Sequence, residues 1–297
     1  DSCEGEIADN TLTIYRAVFK KHIVPYFDSF NLKVDEVLPK HLDDFYKFEM
    51  NKKGLSRVTV HKHHAHIHSA LEYARKNHIV THNVAKDIKT KWGKSTQSSA
   101  GSVYSKEQIK DLFVAIDGDI IETPIKLIAQ YGLRRSEALG LKWDAIDFDK
   151  HLISIHAKQI NNEWIESTKT EKSKRVLAMS KPVEDYLLQV KAKQEDNKRK
   201  YGSDYHDENY VCAHDNGEVI KPGLVSHRFP LILERNNLPK IRIHDLRHSA
   251  ASNLLAAGVN ISDVSKWLGH ADITTTVNVY GHMTEKSNVN MANILTI

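Results

Sequence analysis

The sequence predicts a mainly α-helical protein with a small antiparallel β-sheet, an α+β fold built from two domains. Apolar residues recur at helical spacing through residues 1–88, and this periodicity stops in a basic stretch over residues 89–103. Apolar and polar residues then alternate on both sides of residues 161–162, which predicts strands within an otherwise helical second half. A length of 297 residues agrees with two domains.

The first domain, residues 1–88, is predicted to be a small helical bundle. After an acidic lead-in over residues 1–9, apolar residues at helical spacing predict a helix over residues 11–27. A second helix is expected to begin at Leu38-Pro39, and Ser56 is a candidate N-cap for a third helix that ends near Asn77. Amphipathic helices bury their apolar faces against one another, which favours a bundle.

Residues 89–103 are typical of an interdomain linker. The segment is rich in Lys, Ser, Thr and Gly, and it includes Lys91 and Lys94. This composition favours a flexible and basic connection. Two interpretations stay open: an ordinary solvated connector, or a basic strap that contacts an anionic partner held between two domains.

The second domain is predicted over residues 104–283. Ser105 and Gln108 form a capping-box pattern that begins its first helix. Pro124 after Thr123 predicts another helix start, and that helix is expected to stop at Gly132. Further along the chain, strands are predicted over residues 152–160, 164–168 and 175–179, and helices over residues 182–198 and 224–235, followed by a helical remainder.

Composition narrows the class of protein. The net charge of +4 and the pI of about 8.8 mildly favour an anionic partner. Cys3 and Cys212 are far apart, which argues against a disulfide framework and favours a reducing cytoplasm. No apolar run approaches the ~18 residues of a membrane span, and no signal peptide is recognised. Because the chain opens at Asp1, we expect it to be a fragment or a processed form.

An arginine is predicted at a helix start after Gly132-Leu133. Helix N-termini attract anions, and an arginine there would add a bidentate phosphate ligand. Glu137 lies one turn further on and is placed to orient that arginine. Both Arg134 and Arg135 fit this description, and a surface Arg–Glu ion pair is the alternative meaning of the same spacing.

The last third of the chain carries a second group of polar residues. His244 and Arg247 are three residues apart and share one helix face, His270 follows Leu268-Gly269, and Tyr280 comes ten residues later. A histidine moves protons near neutral pH, an arginine binds phosphate, and a tyrosine hydroxyl can act as a nucleophile. Each motif is common by itself, so only their combination indicates a function.

Lys169 lies in a polar turn between predicted strands. A lysine on such a hairpin tip can act as a general acid toward a bound substrate, and a positioned general acid typically contributes roughly 10²–10⁴-fold. Lys172 and Lys174 are rivals for this role, and a solvated turn lysine is the alternative for all three.

The third predicted helix carries five histidines between residues 61 and 68. His64 and His68 are one turn apart, a spacing that can ligate zinc. The segment lacks cysteine, and its one nearby carboxylate is that of Glu72, so we expect no metal site here. Instead, this helix is expected to present Lys62 and its histidines, among them His64 and His68, to DNA phosphate or to solvent.

The order Arg134, Lys169, His244-x-x-Arg247, His270, Tyr280 resembles that of the tyrosine recombinase family, the integrases of phages and conjugative transposons. The resemblance covers residues 105–280 and includes the pattern Lys-Thr-x-x-Ser-x-Arg from Lys169 onward. It implies a helical core-binding domain and a mixed catalytic domain that form a clamp on DNA. It favours Arg134 over Arg135 and Lys169 over its rivals.

This resemblance also implies a chemistry. Tyr280 would attack a DNA phosphate and form a 3′-phosphotyrosine, Arg134 and Arg247 would neutralise the phosphate oxygens, and Lys169 would protonate the leaving oxygen. The resemblance leaves open the proton roles of the two histidines. It implies no cofactor, no ATP and no divalent metal ion, because the bond energy is conserved and the cationic side chains replace a metal.

The partners that the resemblance implies are double-stranded DNA and other copies of this chain. Four copies would assemble in a synaptic complex, whereas the free protein would be a monomer or a weak oligomer. The tail over residues 284–297 would dock on a neighbouring protomer, although packing on its own domain is the alternative. An accessory excision factor or a host DNA-bending protein is expected, and a membrane is not. The site of action would be the bacterial nucleoid.

Two other functions fit parts of the pattern. A non-catalytic DNA-binding regulator would use residues 261–280 as a helix-turn-helix, but it would leave Arg134, Lys169 and the His-x-x-Arg motif without a role. A type IB topoisomerase would share the chemistry and act alone. The separate helical bundle and the extra tail favour a recombinase that integrates or excises a mobile element.

Overall fold

The protein divides into two compact units. The computed structural model describes residues 9–88, 103–160, 163–166, 174–270 and 272–280. Its units are Asp1–Ser98 and Ser99–Ile297, so the division falls within the segment predicted as a linker. Most of that segment, including Lys91 and Lys94, lies outside the described residues, as does the tail over residues 284–297.

The first unit is helical, as its periodicity predicts. The predicted helix over residues 11–27 consists of α1 (Asp9–Val18), a π-helical segment (Phe19–Ile23) and α2 (Val24–Asp28). Two longer helices follow, α3 (Pro39–Asn51) and α4 (Arg57–Lys76). The Ser56 hydroxyl accepts a hydrogen bond from the Thr59 N–H at 3.2 Å, which confirms the predicted N-cap. The core of this unit includes Leu42, Phe45, Tyr46, Val60, Ile67 and Leu71.

Local signals correctly place the first helix of the second unit. The Ser105 hydroxyl accepts a hydrogen bond from the Gln108 N–H, and the Gln108 side chain accepts one from the Ser105 N–H. The helix that contains Pro124 begins two residues earlier than predicted, so the proline takes its third position. Proline is tolerated there because the first N–H groups of a helix have no intrahelical acceptor. The helices of this unit are α5 (Lys106–Ala115), α6 (Glu122–Tyr131), α7 (Arg135–Leu139), α8 (Lys181–Tyr201), α9 (Pro222–Arg235), α10 (Ile243–Ala256), α11 (Ile261–Leu268) and α12 (Ile273–Tyr280).

The β-structure forms two small antiparallel sheets instead of one. The strands are β1 (Ile146–Asp147), β2 (Leu152–Ile155), β3 (Ala157–Ile160), β4 (Glu163–Glu166) and β5 (Arg175–Ala178). Strand β2 lies between β1 and β5, whereas β3 pairs with β4. The prediction of one strand over residues 152–160 is therefore wrong. The chain changes partner at His156: Ile155 lies opposite Arg175, and Ala157 lies opposite Glu166.

Helices α6 and α10 pack against each other in the core of the second unit, beside the C-terminal end of α11. Gly132 ends α6 at a φ of +64°, and a Cβ on it would lie 2.5 Å from Leu268 Cδ2. Only glycine combines that backbone conformation with so close an approach. Within the described part of the chain, every helix is too short or too polar to cross a bilayer.

Candidate active site

Arg134 lies at the N-cap of α7, as predicted, and it faces the C-terminal end of α11. Its guanidinium donates to Glu137 Oε1 at 2.7 Å and to the Gly269 carbonyl at 3.3 Å. Its backbone N–H donates to Glu137 Oε2 at 2.9 Å. Arg135 points elsewhere and contacts the Ser226 hydroxyl. The geometry therefore separates the two arginines that the spacing alone left open.

Glu137 is a buried carboxylate held between arginines. Arg175 donates to its two oxygens at 2.9 and 3.3 Å, in addition to the bonds from Arg134. Burial by itself would raise the pKa of Glu137, but the hydrogen bonds and charges of Arg175 and Arg134 lower the pKa to about 2. The carboxylate is therefore ionised at neutral pH and fixes the orientation of both guanidinium groups.

Arg175 was not predicted as a site residue. Its side chain, at the start of β5, is only 7% exposed, and it lies against Gly269, where a Cβ would meet its Nη1 at 2.8 Å. The sequence carried one signal for it, the arginine that ends the Lys-Thr-x-x-Ser-x-Arg pattern. Spacing alone could not reveal that this arginine returns to Glu137, because the contact spans 38 residues.

Arg247 on α10 is buried and joins two helix ends. Its guanidinium donates to the Gly132 carbonyl at 2.6 Å and to the Leu268 carbonyl at 2.7 Å, and it lies 4.0 Å from Glu137 Oε2. Burial and Arg134 lower the pKa of Arg247 to about 9, so its charge persists at neutral pH.

The C-terminal end of α11 brings the two predicted arginines together. Arg247 binds the carbonyl of Leu268, and Arg134 binds the carbonyl of the next residue, Gly269. Terminal carbonyls of a helix lack intrahelical partners and accept such bonds. Gly269 ends the helix at a φ of +68°. The Leu268-Gly269-His270 motif thus closes a short helix, as predicted, and its carbonyls position both cations.

His270 follows directly and is held by a buried threonine. Its Nδ1 shares a hydrogen bond with the Thr276 hydroxyl at 2.7 Å. Burial, Arg247 and Arg134 lower the pKa of His270 to about 4. The imidazole is therefore neutral at pH 7 and can donate one N–H to an acceptor without carrying a charge.

Tyr280 ends α12 and is only 4% exposed, packed with Ala251, Val264 and Leu268. Its hydroxyl shares a hydrogen bond with Nδ1 of His248. Burial raises the pKa of Tyr280 to about 12, although nearby Arg247 favours the phenolate. A hydroxyl with this pKa is protonated at neutral pH, so it needs a base to become a strong nucleophile.

His248 is the second residue that sequence reasoning missed. It follows Arg247 directly and lies one helical turn after His244, with the two rings edge to face at 4.8 Å. Burial lowers the pKa of His248, and burial together with His248 lowers that of His244. The structure therefore places His248, and not the predicted His244, in contact with the tyrosine hydroxyl.

The remaining predicted positions give a mixed result. Lys169 and its rival Lys172 lie outside the described residues. On α4, Lys62 is exposed, His64 Nδ1 shares a hydrogen bond with the Tyr46 hydroxyl at 2.9 Å, and His68 is half-buried. The expectation that the histidines of this helix face DNA or solvent is wrong for His63, which is 4% exposed because its ring binds the buried Glu49.

Comparisons with known proteins agree with this arrangement. Residues 103–287 match the profile described as the Phage integrase family. A tyrosine recombinase XerC-like protein of Caldanaerobacter subterraneus subsp. tengcongensis is 31% identical over 207 residues, which are 65% of this chain. The chain spans about half, 53%, of that relative's length. The ICEBs1 integrase of Bacillus subtilis is 25% identical over 99% of this chain and 79% of its own length.

Solved structures resemble this chain in fold. The Tn1549 transposon integrase in complex with a circular intermediate DNA has a TM-score of 0.78 at 20% identity, over 99% of this chain and 96% of that one. A lambda integrase dimer bound to a core site has a TM-score of 0.64 at 15% identity, over 92% and 89% of the two chains.

Proposed function

Because this chain belongs to the phage integrase family, we propose that it is a site-specific recombinase that cuts and rejoins DNA through a 3′-phosphotyrosine. One observation carries the proposal: two arginines are held on consecutive carbonyls of α11, beside a tyrosine hydroxyl that is bonded to a neutral histidine. These parts supply phosphate binding, a nucleophile and a base in one unit.

Arg134 and Arg247 would hold the two nonbridging oxygens of the scissile phosphate. The negative charge on these oxygens grows in the transition state, and fixed cationic donors stabilise it without reorganising. Glu137 and Arg175 would act as positioning residues, because Glu137 binds the guanidinium groups of both Arg134 and Arg175. His270 would donate a neutral hydrogen bond to a phosphate oxygen.

Tyr280 would be the nucleophile and His248 its base. The phenolic proton moves to His248 Nδ1, the tyrosine oxygen forms a bond to phosphorus, and the bond from phosphorus to the 5′ oxygen breaks. Lys169 would donate a proton to that leaving oxygen. Rejoining reverses each step with the 5′ hydroxyl of a partner strand, so the bond energy is conserved and no ATP would be needed.

The substrate would be double-stranded DNA at the ends of a mobile element, which the protein integrates or excises. Support comes from the family's description, Phage integrase family, and from the name of the similar Tn1549 transposon integrase. The exposed Lys62, the half-buried His64 and His68, and the basic residues Lys91 and Lys94 would contribute contacts to DNA. Four copies would assemble on paired sites, and the tail over residues 284–297 would join neighbours.

Covalent capture tests this function. The protein would be incubated with a nicked suicide substrate, taken from the flanks of the element that encodes it, in magnesium-free buffer. We expect an adduct on a denaturing gel that Tyr280→Phe abolishes. The control Tyr201→Phe, which changes a tyrosine at the end of α8, would retain the adduct. DNA binding without an adduct would instead favour a non-catalytic regulator.

The same reaction separates a recombinase from a topoisomerase. A recombinase would join strands from two paired sites and depend on protein assembly. A topoisomerase would relax a supercoiled plasmid as a single chain, without producing recombinant joints. We expect recombinant joints, with relaxation only as a minor product.

A further inference from the structure

A buried carboxylate in the first unit faces two imidazoles. Glu49 on α3 has no exposed surface, and each of its oxygens lies against a different histidine. Oε1 is 3.1 Å from His22 Nδ1, and Oε2 is 2.5 Å from His63 Nδ1. A carboxylate that is withdrawn from water requires a compensating positive charge. A metal ion bound between the three side chains would supply that charge.

The three side chains come from three different helical segments. Glu49 is on α3, His63 is on α4, and His22 lies in the π-helical segment Phe19–Ile23. Their ligand atoms all lie within 4.8 Å of one another. A π-helical turn is rare and frequently occurs at functional sites, because the extra residue redirects side chains. Here the turn includes the residue that completes the group.

We propose that His22, Glu49 and His63 bind one Zn²⁺ ion. Zinc takes imidazole nitrogen at about 2.0–2.1 Å and carboxylate oxygen at about 2.0–2.2 Å, and a set of two histidines and one glutamate is among its known ligand sets. Ligand atoms of a tetrahedral ion lie about 3.4 Å apart, so the close pair of His63 and Glu49 would open by about 1 Å, and the most distant pair would close by at most about 1.5 Å. The His22 side chain is 19% exposed, which leaves access for a water ligand.

The ion would link α3 and α4 to the π-helical segment. Helix α4 also carries Lys62, His64 and His68, for which we propose DNA contacts. Because His63 lies on the same helix, zinc would hold that helix against α3 and stabilise the first unit.

The test compares variants of the full chain, purified without a histidine tag. Zinc content is measured by mass spectrometry after dialysis against a weak chelator, and the thermal midpoint is measured with and without added ZnCl₂. His22→Ala and Glu49→Gln remove ligands, and His61→Ala removes an exposed histidine from the same helix as a matched control. We expect about one zinc per chain in the wild type and in His61→Ala.

Both ligand variants should retain less than about a tenth of that zinc, and added ZnCl₂ should raise the midpoint only in the wild type and the control. His22→Ala decides the question even if Glu49→Gln fails to fold, because His22 is the most exposed member. Equal zinc content in the wild type and His22→Ala would overturn the proposal. The readouts do not depend on recombination, so this proposal and the proposed function can fail separately.

Discussion

Replacing Glu137 with glutamine should destabilise the second unit strongly at neutral pH. The pKa of this carboxylate falls from its ordinary value of 4.5 to about 2 in the folded chain. By linkage, that difference corresponds to about 3 kcal/mol of stability. Loss of one partner from a buried ion pair costs about 3–5 kcal/mol, which is in the same range. Glutamine keeps the shape but removes the charge between Arg134 and Arg175.

The stabilisation by Glu137 decreases as the pH is lowered. Because folding lowers the pKa of Glu137, the contribution is fully present above about pH 4.5 and is lost as the pH falls toward 2. The difference between wild type and Glu137→Gln should therefore be about 3 kcal/mol at pH 7 and should shrink as the pH falls below 4.5.

Urea unfolding followed by tryptophan fluorescence would measure this difference. Trp143, Trp164 and Trp267 all lie in the second unit, so the signal reports mainly on its unfolding. Glu234→Gln changes an exposed glutamate on α9 and should alter stability by less than about 0.5 kcal/mol. A Glu137→Gln variant as stable as wild type at pH 7, or a deficit that persists unchanged below pH 4.5, would refute the reasoning.

Three further predictions concern the active site and the glycine that ends α6. His248→Ala should slow single-turnover cleavage by roughly 10²–10⁴-fold at pH 7 without weakening DNA binding. Wild-type cleavage should fall as the pH drops through the lowered pKa of this base, and a profile shared by the variant would count against a base at this position. Lys169→Ala should be slow on normal DNA and recover on a substrate with a 5′-bridging sulfur, because a thiolate leaves without a proton; no recovery would assign the lysine another role. Gly132→Ala should lower stability by about 2–4 kcal/mol in urea, since its Cβ would collide with Leu268 and its φ is positive. Gly118→Ala also has a positive φ, of +69°, but open space around its Cβ, so its free energy of unfolding should fall by only about 1 kcal/mol. Equal losses in the two variants would mean that the structure relieves the collision with Leu268.

Several contacts in the site join residues that are far apart in sequence. Arg134 and Arg135 are equivalent by spacing, and the family resemblance favours Arg134. The fold adds the contact between Arg134 and the Gly269 carbonyl, which is 135 residues away. Arg175 reaches Glu137 only because β5 pairs with β2 and thereby begins beside α7. His248 is identified as a candidate base only by the fold, because α12 places the Tyr280 hydroxyl against it.

Sequence periodicity does not determine the structure at two places. Residues 152–160 alternate as one strand would, but the ladder partners that divide them at His156 lie elsewhere in the chain. On α4, helical spacing could not identify which of the clustered histidines is buried. His63 is buried against Glu49, which is 14 residues away in sequence, and Glu49 in turn contacts His22 across 27 residues.

The sequence by itself determined the local features of this protein: the caps at Ser56 and Ser105, the helix end at Gly132, and the order of the polar motifs. These signals need only neighbouring residues, since a capping hydroxyl or a glycine with positive φ acts within one turn. Only the tertiary structure decided which arginines share one helix end, which histidine meets the tyrosine, and where the sheets divide. Such contacts join residues far apart in sequence, and their geometry follows from the packing of the whole unit.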